Sequence, residues 1–278
     1  MHNPDFLQVL WFVLIGVLWA GYFILEGFDF GVGMLVKVLP RDKVETRMTI
    51  HTIGPVWDGN EVWLLTAGGA TFAAFPGWYA SAFSGFYLAL FLVLAALIVR
   101  GVSFEFWGKV DSDGWRNSWE WAMAIASGAA ALLFGVAWAD FIHGVPMGPQ
   151  HVVHASLIDL LHPYALLGGL TTLSLLFAHG CGFLSLRVKD GLEQRAAALG
   201  DVAAPVAALL SCGFLLWTMA DHGWAAQAVI PGLLTMAAVV ATAAISRSRR
   251  AALGFGISSL SILLLTATLL AALFPNAV

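Results

Sequence analysis

Charged side chains are scarce in this 278-residue chain. Lys and Arg number 13 and Asp and Glu 17, so that 11% of the residues are charged while 60% are hydrophobic. A soluble domain carries about 25% charged residues, and so few charges cannot cover the water-facing surface of a body of this size. The composition excludes a soluble enzyme, a nucleic-acid-binding protein and a disordered chain, and it indicates a polytopic membrane protein.

Cysteines and catalytic motifs are also few or missing. Cys181 and Cys212 lie in apolar runs, which favours small buried hydrophobic residues over a disulfide or a metal site. The sequence has no phosphate-binding glycine loop, no CxxC pair, no HExxH and no serine-nucleophile motif. We therefore expect no catalytic residue and no metal site on this chain. Residues 1–5 lack a basic n-region, so the run that follows them is interpreted as a retained span.

Eight apolar runs have the length of about 20 residues that a transmembrane helix needs. They cover residues 6–36, 50–75, 79–99, 119–142, 160–184, 200–220, 226–246 and 252–274. These runs predict an all-α membrane protein with eight transmembrane helices in two four-helix bundles. The first bundle takes residues 1–142 and the second takes residues 143–278.

All 13 basic residues fall around alternate connections between these runs, namely the first, third, fifth and seventh. They are Lys37, Arg41, Lys43, Arg47, Arg100, Lys109, Arg116, Arg187, Lys189, Arg195, Arg247, Arg249 and Arg250. Because positively charged loops stay in the cytoplasm, we expect this side to be cytoplasmic. Both chain ends then lie outside.

Four acidic residues fall inside predicted spans: Glu26 and Asp29 in the first, and Asp58 and Glu61 in the second. A carboxylate at membrane depth costs about 2.5–3.5 kcal/mol, and residues three apart share a helix face. Asp29 precedes Lys37 by roughly 12 Å of helix, and Asp58 follows Arg47 by roughly 16 Å. Both pairs should therefore lie at a similar level, where four carboxyl groups can line one polar pocket.

Two interpretations of these acids are open. Crowded carboxyl groups in a low dielectric share protons, which suits a proton path from the cytoplasm. Alternatively, each acid is protonated or bonded to backbone, Asn60 or Trp57, and only locks the helices together. Intramembrane ionisable groups favour the functional interpretation.

The neighbours of the acids have packing roles in this interpretation. Gly27 and Gly31 have GxxxG spacing, and Gly33 follows them, so the first helix can approach another closely. Pro55 should kink or start the second helix. Trp57 and Trp63 flank the second acid pair; they could stack a quinone ring, but core packing is the favoured interpretation.

Histidine offers few candidate ligands. His51 and His179 lie near the cytoplasmic ends of their spans and could in principle bind a haem, but neither has an obvious partner. His143, His151 and His154 cluster in one external connection without metal-ligand spacing, so solvated polar residues are favoured there over a metal site.

The residues around the acids resemble subunit II of the cytochrome bd quinol oxidases. The resemblance lies in residues 26–31 (EGFDFG), 54–64 (GPVWDGNEVWL), 66–70 (TAGGA) and 82–87 (AFSGFY). The first 120 residues match closely, and the later spans match in pattern more than in letters. Family members usually have nine spans, whereas this sequence predicts eight.

The resemblance implies a respiratory oxidase in the bacterial cytoplasmic membrane that oxidises quinol and reduces oxygen to water. It implies a partner, subunit I, that carries two b-type haems and one d-type haem, while this chain carries none. The acids matching Asp29 and Asp58 would line a proton route. A bound quinone and a small single-span accessory subunit are left open. The alternative from another class is a proton-coupled secondary transporter.

Overall fold

The computed structural model describes residues 4–145, 156–222, 226–248 and 250–275. Within these ranges the chain forms helices and no strand. The helices are α1 (Phe6–Leu35), α2 (Lys43–Ile53), α3 (Trp57–Ala74), α4 (Pro76–Gly85), α5 (Tyr87–Phe106), α6 (Asp113–His143), α7 (Pro163–Arg187), α8 (Leu192–His222), α9 (Ala226–Ser246) and α10 (Ala251–Leu273).

Short polar side chains set several helix starts, because the first backbone N–H groups of a helix lack partners. Asp5 caps α1 by accepting from the backbone N–H of Gln8, whose side chain bonds back to the N–H of Asp5. Asp42 caps α2 through two backbone N–H groups. His162 accepts from the N–H of Ala165 and caps α7.

The predicted second span, 50–75, is wrong as a single helix. The chain leaves α2 after Ile53 and enters α3 at Trp57, so Gly54, Pro55 and Val56 separate two helices. Proline lacks an N–H and disfavours helical geometry in the residue before it. The depth estimate that ran along an unbroken helix from Arg47 to Asp58 fails for the same reason.

The predicted third span, 79–99, is also wrong in its bounds. A ten-residue helix, α4, ends at Gly85, and Phe86 separates it from α5, which runs on to Phe106. The helical segment therefore extends past Arg100, which the sequence analysis placed in a connection.

In the described part of the chain, seven helices, α1 and α5 to α10, are long and apolar enough to cross a membrane. The 18-residue α3 covers most of the predicted second span but is not one of these seven helices. The polar residues Asp58, Asn60 and Glu61 near its start lower its mean hydropathy. The number of eight spans and the side on which the N-terminus lies stay predictions. The division into two four-helix bundles at residues 142 and 143 also stays a prediction. Helices α6 and α7, on the two sides of this division, pack against each other.

Helix α1 is central, because it packs against α3, α6, α7 and α10. Its closest approach is to α7, where Gly31 faces Gly180: a Cβ built on Gly31 would lie 2.6 Å from Cα of Gly180. Gly33 faces the Ser127 side chain of α6 in similarly close contact, and Gly27 faces Leu176 of α7. These three glycines therefore let α1 sit between its neighbours, which positions the acids on its remaining face.

Candidate functional site

A fully buried arginine forms the centre of the candidate site. Arg100 of α5 has no exposed side-chain surface, and its Nη1 makes an ion pair with the equally buried Glu26 of α1. The same nitrogen donates to Oε1 of Glu61 on α3 at 2.9 Å. One guanidinium thus joins three helices. We call Glu26, Asp29, Asn60, Glu61 and Arg100 the acid cluster.

Aromatic rings surround the guanidinium of Arg100. Its Cζ lies 4.8 Å from the centre of the Phe30 ring and 5.4 Å from that of Phe104. A cation over an aromatic face is attracted to the ring by about 2 kcal/mol or more when desolvated. The rings therefore stabilise the charge while they exclude water from it.

Asp29 is the second buried acid of α1, and it is held from α3. The side-chain amide of Asn60 donates to its Oδ2 at 2.7 Å, and Asp29 has no exposed surface. Glu61 lies one residue beyond Asn60 and keeps 25% of its side chain exposed. Among the three acids of the cluster, Glu61 alone reaches the surface of the chain.

Several polar atoms of the cluster are buried without a hydrogen-bond partner in the described part of the chain. They are Oε2 of Glu26, Oδ1 of Asp29, Nε and Nη2 of Arg100 and the hydroxyl of the neighbouring Tyr22. Buried polar atoms are nearly always paired with protein or ordered water. Three carboxyl groups also face one cation, so full ionisation would bury excess negative charge at high cost. The arrangement therefore suits bound water and shared protons.

Asp58 lies outside the cluster, although the sequence analysis expected four carboxyl groups in one pocket. It is exposed, and its Oδ1 accepts from the backbone N–H of Gly59 at 2.8 Å. As the second residue of α3, Asp58 meets unpaired N–H groups and the positive end of the helix dipole, which hold a carboxylate there.

The two tryptophans of α3 pack against small residues of neighbouring helices. Trp57 lies 5.1 Å from Phe104, centre to centre, and covers Gly101 of α5. Trp63 packs on Gly21 of α1 and joins the main hydrophobic core. These contacts agree with the packing interpretation, and nothing in the structure tests quinone stacking.

Arg100 was not predicted as a site residue from the sequence. Counting it among the loop charges was wrong, because the helical pattern continues through Phe106 and leaves Arg100 roughly 9 Å from the end of α5. Two signals could have found it. Apolar residues continue after it at Val102, Phe104 and Phe106, and the buried acids of α1 need a cation that their own helices lack.

The two histidines considered for haem differ in their surroundings. His51 is exposed on α2. His179 is fully buried: its Nε2 donates to the carbonyl of Ile24 at 3.2 Å, and its Nδ1 lies 2.7 Å from Oγ of Ser258. Both ring nitrogens of His179 are therefore engaged, and it pins α7 to α1 two residues before Glu26. The expectation that this chain holds no haem stays a prediction.

The outer histidine cluster falls partly outside the described residues, because His151 and His154 are not among them. His143 packs beside His162, with ring centres 4.6 Å apart. Nε2 of His162 lies 3.0 Å from Oδ1 of Asp140. Within the described ranges, no group of three or more His, Cys, Asp and Glu side chains has the arrangement of a metal site.

A family model described as "Cytochrome bd terminal oxidase subunit II" matches residues 7–278. "Cytochrome bd ubiquinol oxidase subunit 2" of Bacillus subtilis is 47% identical over 190 residues, which are 68% of this chain and 56% of the relative. "Probable cytochrome oxidase subunit 2" of Haemophilus influenzae is 41% identical over 234 residues, 83% of this chain and 62% of the relative.

"Cytochrome bd-I ubiquinol oxidase subunit 2" of Escherichia coli is 40% identical over 223 residues, which are 79% of this chain and 59% of the relative. The chain thus spans 56% to 62% of the length of these curated relatives. Among solved structures, the bd oxidase of Geobacillus thermodenitrificans has a similar fold, with a TM-score of 0.74 at 18% identity. That match covers 96% of this chain and 83% of the other.

Proposed function

The chain belongs to the cytochrome bd terminal oxidase subunit II family, and on that basis we propose that it is the non-haem subunit of a respiratory quinol oxidase. The family and the seven apolar helices make it a multi-pass membrane protein. In this proposal the membrane is the bacterial cytoplasmic membrane, and subunit I holds two b-type haems and one d-type haem. The transporter alternative has no support from the family match or the relatives.

The proposed role of this chain is to supply protons for the reduction of oxygen to water. Reduction of one oxygen molecule to two waters consumes four electrons, which two quinols supply, together with four protons. The observation that carries the proposal is the acid cluster, because two of its carboxyl groups pair with one buried cation, a third is buried beside them, and several of its buried polar atoms have no hydrogen-bond partner among the described residues. Such groups can accept and pass protons without becoming fully charged.

The order of groups suggests a direction for the protons. Glu61 is partly exposed and is bonded to Arg100, which is paired with the buried Glu26. Asp29 lies on the same helix as Glu26 and is reached from α3 through Asn60. We therefore place proton entry at Glu61 and the buried store at Glu26 and Asp29. Haem in the partner supplies the redox chemistry.

A visible spectrum of the complex and its quinol-driven oxygen consumption test this function. We expect purification to yield a coloured complex with a haem-bearing partner. Asp29→Asn and Glu61→Gln should each lower oxygen consumption at least about tenfold, since loss of a proton-transfer group typically costs 10²–10⁴-fold. Asn at position 29 keeps an oxygen for the Asn60 amide, so the fold should persist.

The matched control is Asp111→Asn, which removes an acid whose side chain is 96% exposed at the basic end of the bundle. It should leave oxygen consumption unchanged. Full activity and normal haem spectra in both Asp29→Asn and Glu61→Gln would exclude the proton-path role. A colourless chain without a haem-bearing partner would exclude the oxidase.

The surface that faces the partner is proposed to be the outer side of α3. This helix packs on α1 but leaves Leu65 74% exposed, Phe72 59% exposed and Val62 52% exposed. Asp58 and Thr66 are exposed on the same helix. A carboxylate is costly against lipid, so a protein partner is a better neighbour for this face than hydrocarbon.

Filling the surface of α3 should block assembly. Gly69 is exposed, and a Cβ there meets nothing within 4 Å, so Gly69→Leu fits this chain and raises helix propensity by about 1 kcal/mol. We expect it to reduce co-purification of the haem-bearing partner by at least about tenfold, or ~1.4 kcal/mol. Gly256→Leu is the control, since Gly256 of α10 is equally exposed and open. Equal co-purification in both variants would place the partner elsewhere.

A further inference from the structure

A cavity of about 890 Å³ opens at the basic end of the bundle formed by α7 to α10. Ala178, Ala204 and Ser258 are among its lining residues. Ser258 lies seven residues after the start of α10, roughly 10 Å into the helix. Small-molecule sites have volumes of about 300–1,000 Å³, so this space is large enough for an organic ligand.

The mouth of the cavity carries both signs of charge, and part of that charge is already neutralised. Nη2 of Arg195 donates to Oε1 of Glu45 at 2.5 Å, and the other oxygen of Glu45 accepts from the backbone N–H of Arg41 at 2.7 Å. Both bonds hold the pKa of Glu45 below its usual range, and the bond from the backbone N–H of Arg41 has the larger effect. Glu193 accepts from the backbone N–H of Gly191 at 2.9 Å.

Other charges at the mouth have no ion-pair partner within the described ranges. The side chains of Arg41, Arg250 and Asp190 line the cavity and are exposed. Nη1 of Arg195 is buried without a hydrogen-bond partner among the described residues. The mouth thus offers the guanidinium groups of Arg41 and Arg250 for an anion and the carboxylate of Asp190 for a cation, whereas the free nitrogen of Arg195 has no surface that faces the cavity.

The inner wall of the cavity is mostly apolar and made mostly of small residues. Gly182, Ala197 and Ala204 line it with Phe255. A Cβ on Gly182 would meet the Cα and the ring of Phe255 at 3.8 Å, which are ordinary contacts, so a side chain added at this position has room. A ligand that fills it needs an apolar part behind its charged head.

We propose that this cavity binds a phospholipid with a zwitterionic headgroup, its phosphate held by Arg41 and Arg250 and its ammonium by Asp190. Guanidinium groups match phosphate oxygens in geometry and charge. The carboxylate selects a headgroup with an amine over a purely anionic one. A lipid is favoured over a soluble phosphate ester because the apolar wall reaches into the membrane-spanning helices, where a soluble ligand would leave it uncovered.

Lipid retention by the purified oxidase complex tests the proposal. The complex is placed in nanodiscs of phosphatidylethanolamine and phosphatidylglycerol, extracted in mild detergent and weighed by native mass spectrometry. We expect the wild-type complex to retain phosphatidylethanolamine. Arg41→Gln with Arg250→Gln should reduce this retention at least about tenfold, because charge-assisted bonds to phosphate are lost. Gly182→Leu should reduce it by filling the apolar part.

Arg187→Gln is the matched control, because Arg187 is an exposed basic residue at the same end that does not line the cavity. It should retain the lipid as the wild-type complex does. Lipid retention by the double Gln variant equal to that of the wild-type complex overturns the site. Because this variant changes only exposed side chains, the test remains valid even if Gly182→Leu fails to fold. Equal retention of phosphatidylglycerol overturns the headgroup choice. Displacement by equimolar glycerophosphoethanolamine shows a soluble source and overturns the lipid.

Discussion

Replacing Arg100 with Gln should destabilise the protein more than any other single change considered for this chain. Removing one partner of a buried ion pair costs about 3–5 kcal/mol because the other charge stays buried and unpaired. Here Glu26 and Glu61 both lose their cation. The expected result is a low yield of folded protein in membranes and no assembled oxidase, measured by membrane yield and by the midpoint of thermal unfolding in detergent.

The control for this prediction is an arginine outside the membrane core. Arg116→Gln removes a pair with Asp111, whose side chain is 96% exposed, and surface pairs contribute about 0–1 kcal/mol. Its unfolding midpoint should stay near the wild-type value. Equal midpoints for Arg100→Gln and wild type would contradict the buried ion pair.

A double variant separates charge from packing at the same site. Arg100→Gln with Glu26→Gln removes the cation and one buried anion together, so it should recover part of the stability lost by Arg100→Gln alone. It should not recover oxygen consumption, because one of the two acids of the proposed proton store, Glu26, is gone. If the double variant were less stable than Arg100→Gln, then Glu26 would not be the acid that Arg100 neutralises.

The second large effect is expected at Gly31, where α1 and α7 are closest. A methyl group there would lie 2.6 Å from Cα of Gly180 and still closer to the carbonyl oxygen of Leu176. Backbone on both sides cannot yield as a side chain can, so Gly31→Ala should cost at least the ~1–3 kcal/mol of ordinary overpacking. Separating the helices should also move Glu26 and Asp29, so oxygen consumption should fall with stability.

The same substitution at an open position supplies the comparison. Gly213 of α8 has nothing within 4 Å of an added Cβ, so Gly213→Ala should be neutral or stabilise its helix by about 1 kcal/mol. Both variants are compared by thermal unfolding and by quinol-driven oxygen consumption. A stable, active Gly31→Ala variant would show that the α1–α7 contact is looser than the structure indicates.

Much of the helical architecture follows from composition, because an apolar run of about 20 residues has few alternatives to a helix. The run at 226–246 was predicted with the bounds of α9, and the run at 252–274 nearly with those of α10. The breaks were harder to locate. Pro55 was expected to kink or start a helix, but its run also continues apolar on both sides. The break at Phe86 is marked only by the preceding Ser84-Gly85, a weak turn signal inside an apolar run.

The candidate site was predicted only in part, for a physical reason. Glu26, Asp29 and Glu61 stand out in the sequence because a carboxylate in an apolar run is costly. Arg100 does not stand out, because an arginine after an apolar run is equally typical of a helix end. Which acids meet also depends on tertiary packing: Asp58 has the spacing of a cluster member, but the start of α3 holds it outside.

Proton uptake by the reconstituted oxidase complex tests the central claim most directly, namely that the acid cluster carries protons to oxygen reduction. The complex is placed in vesicles that contain a pH-sensitive dye, and uptake is followed after oxygen is added to the reduced enzyme. The account predicts that Glu26→Gln and Asp29→Asn slow uptake at least about tenfold, with unchanged haem spectra and with Asp111→Asn like wild type. Wild-type uptake rates in both cluster variants would contradict it.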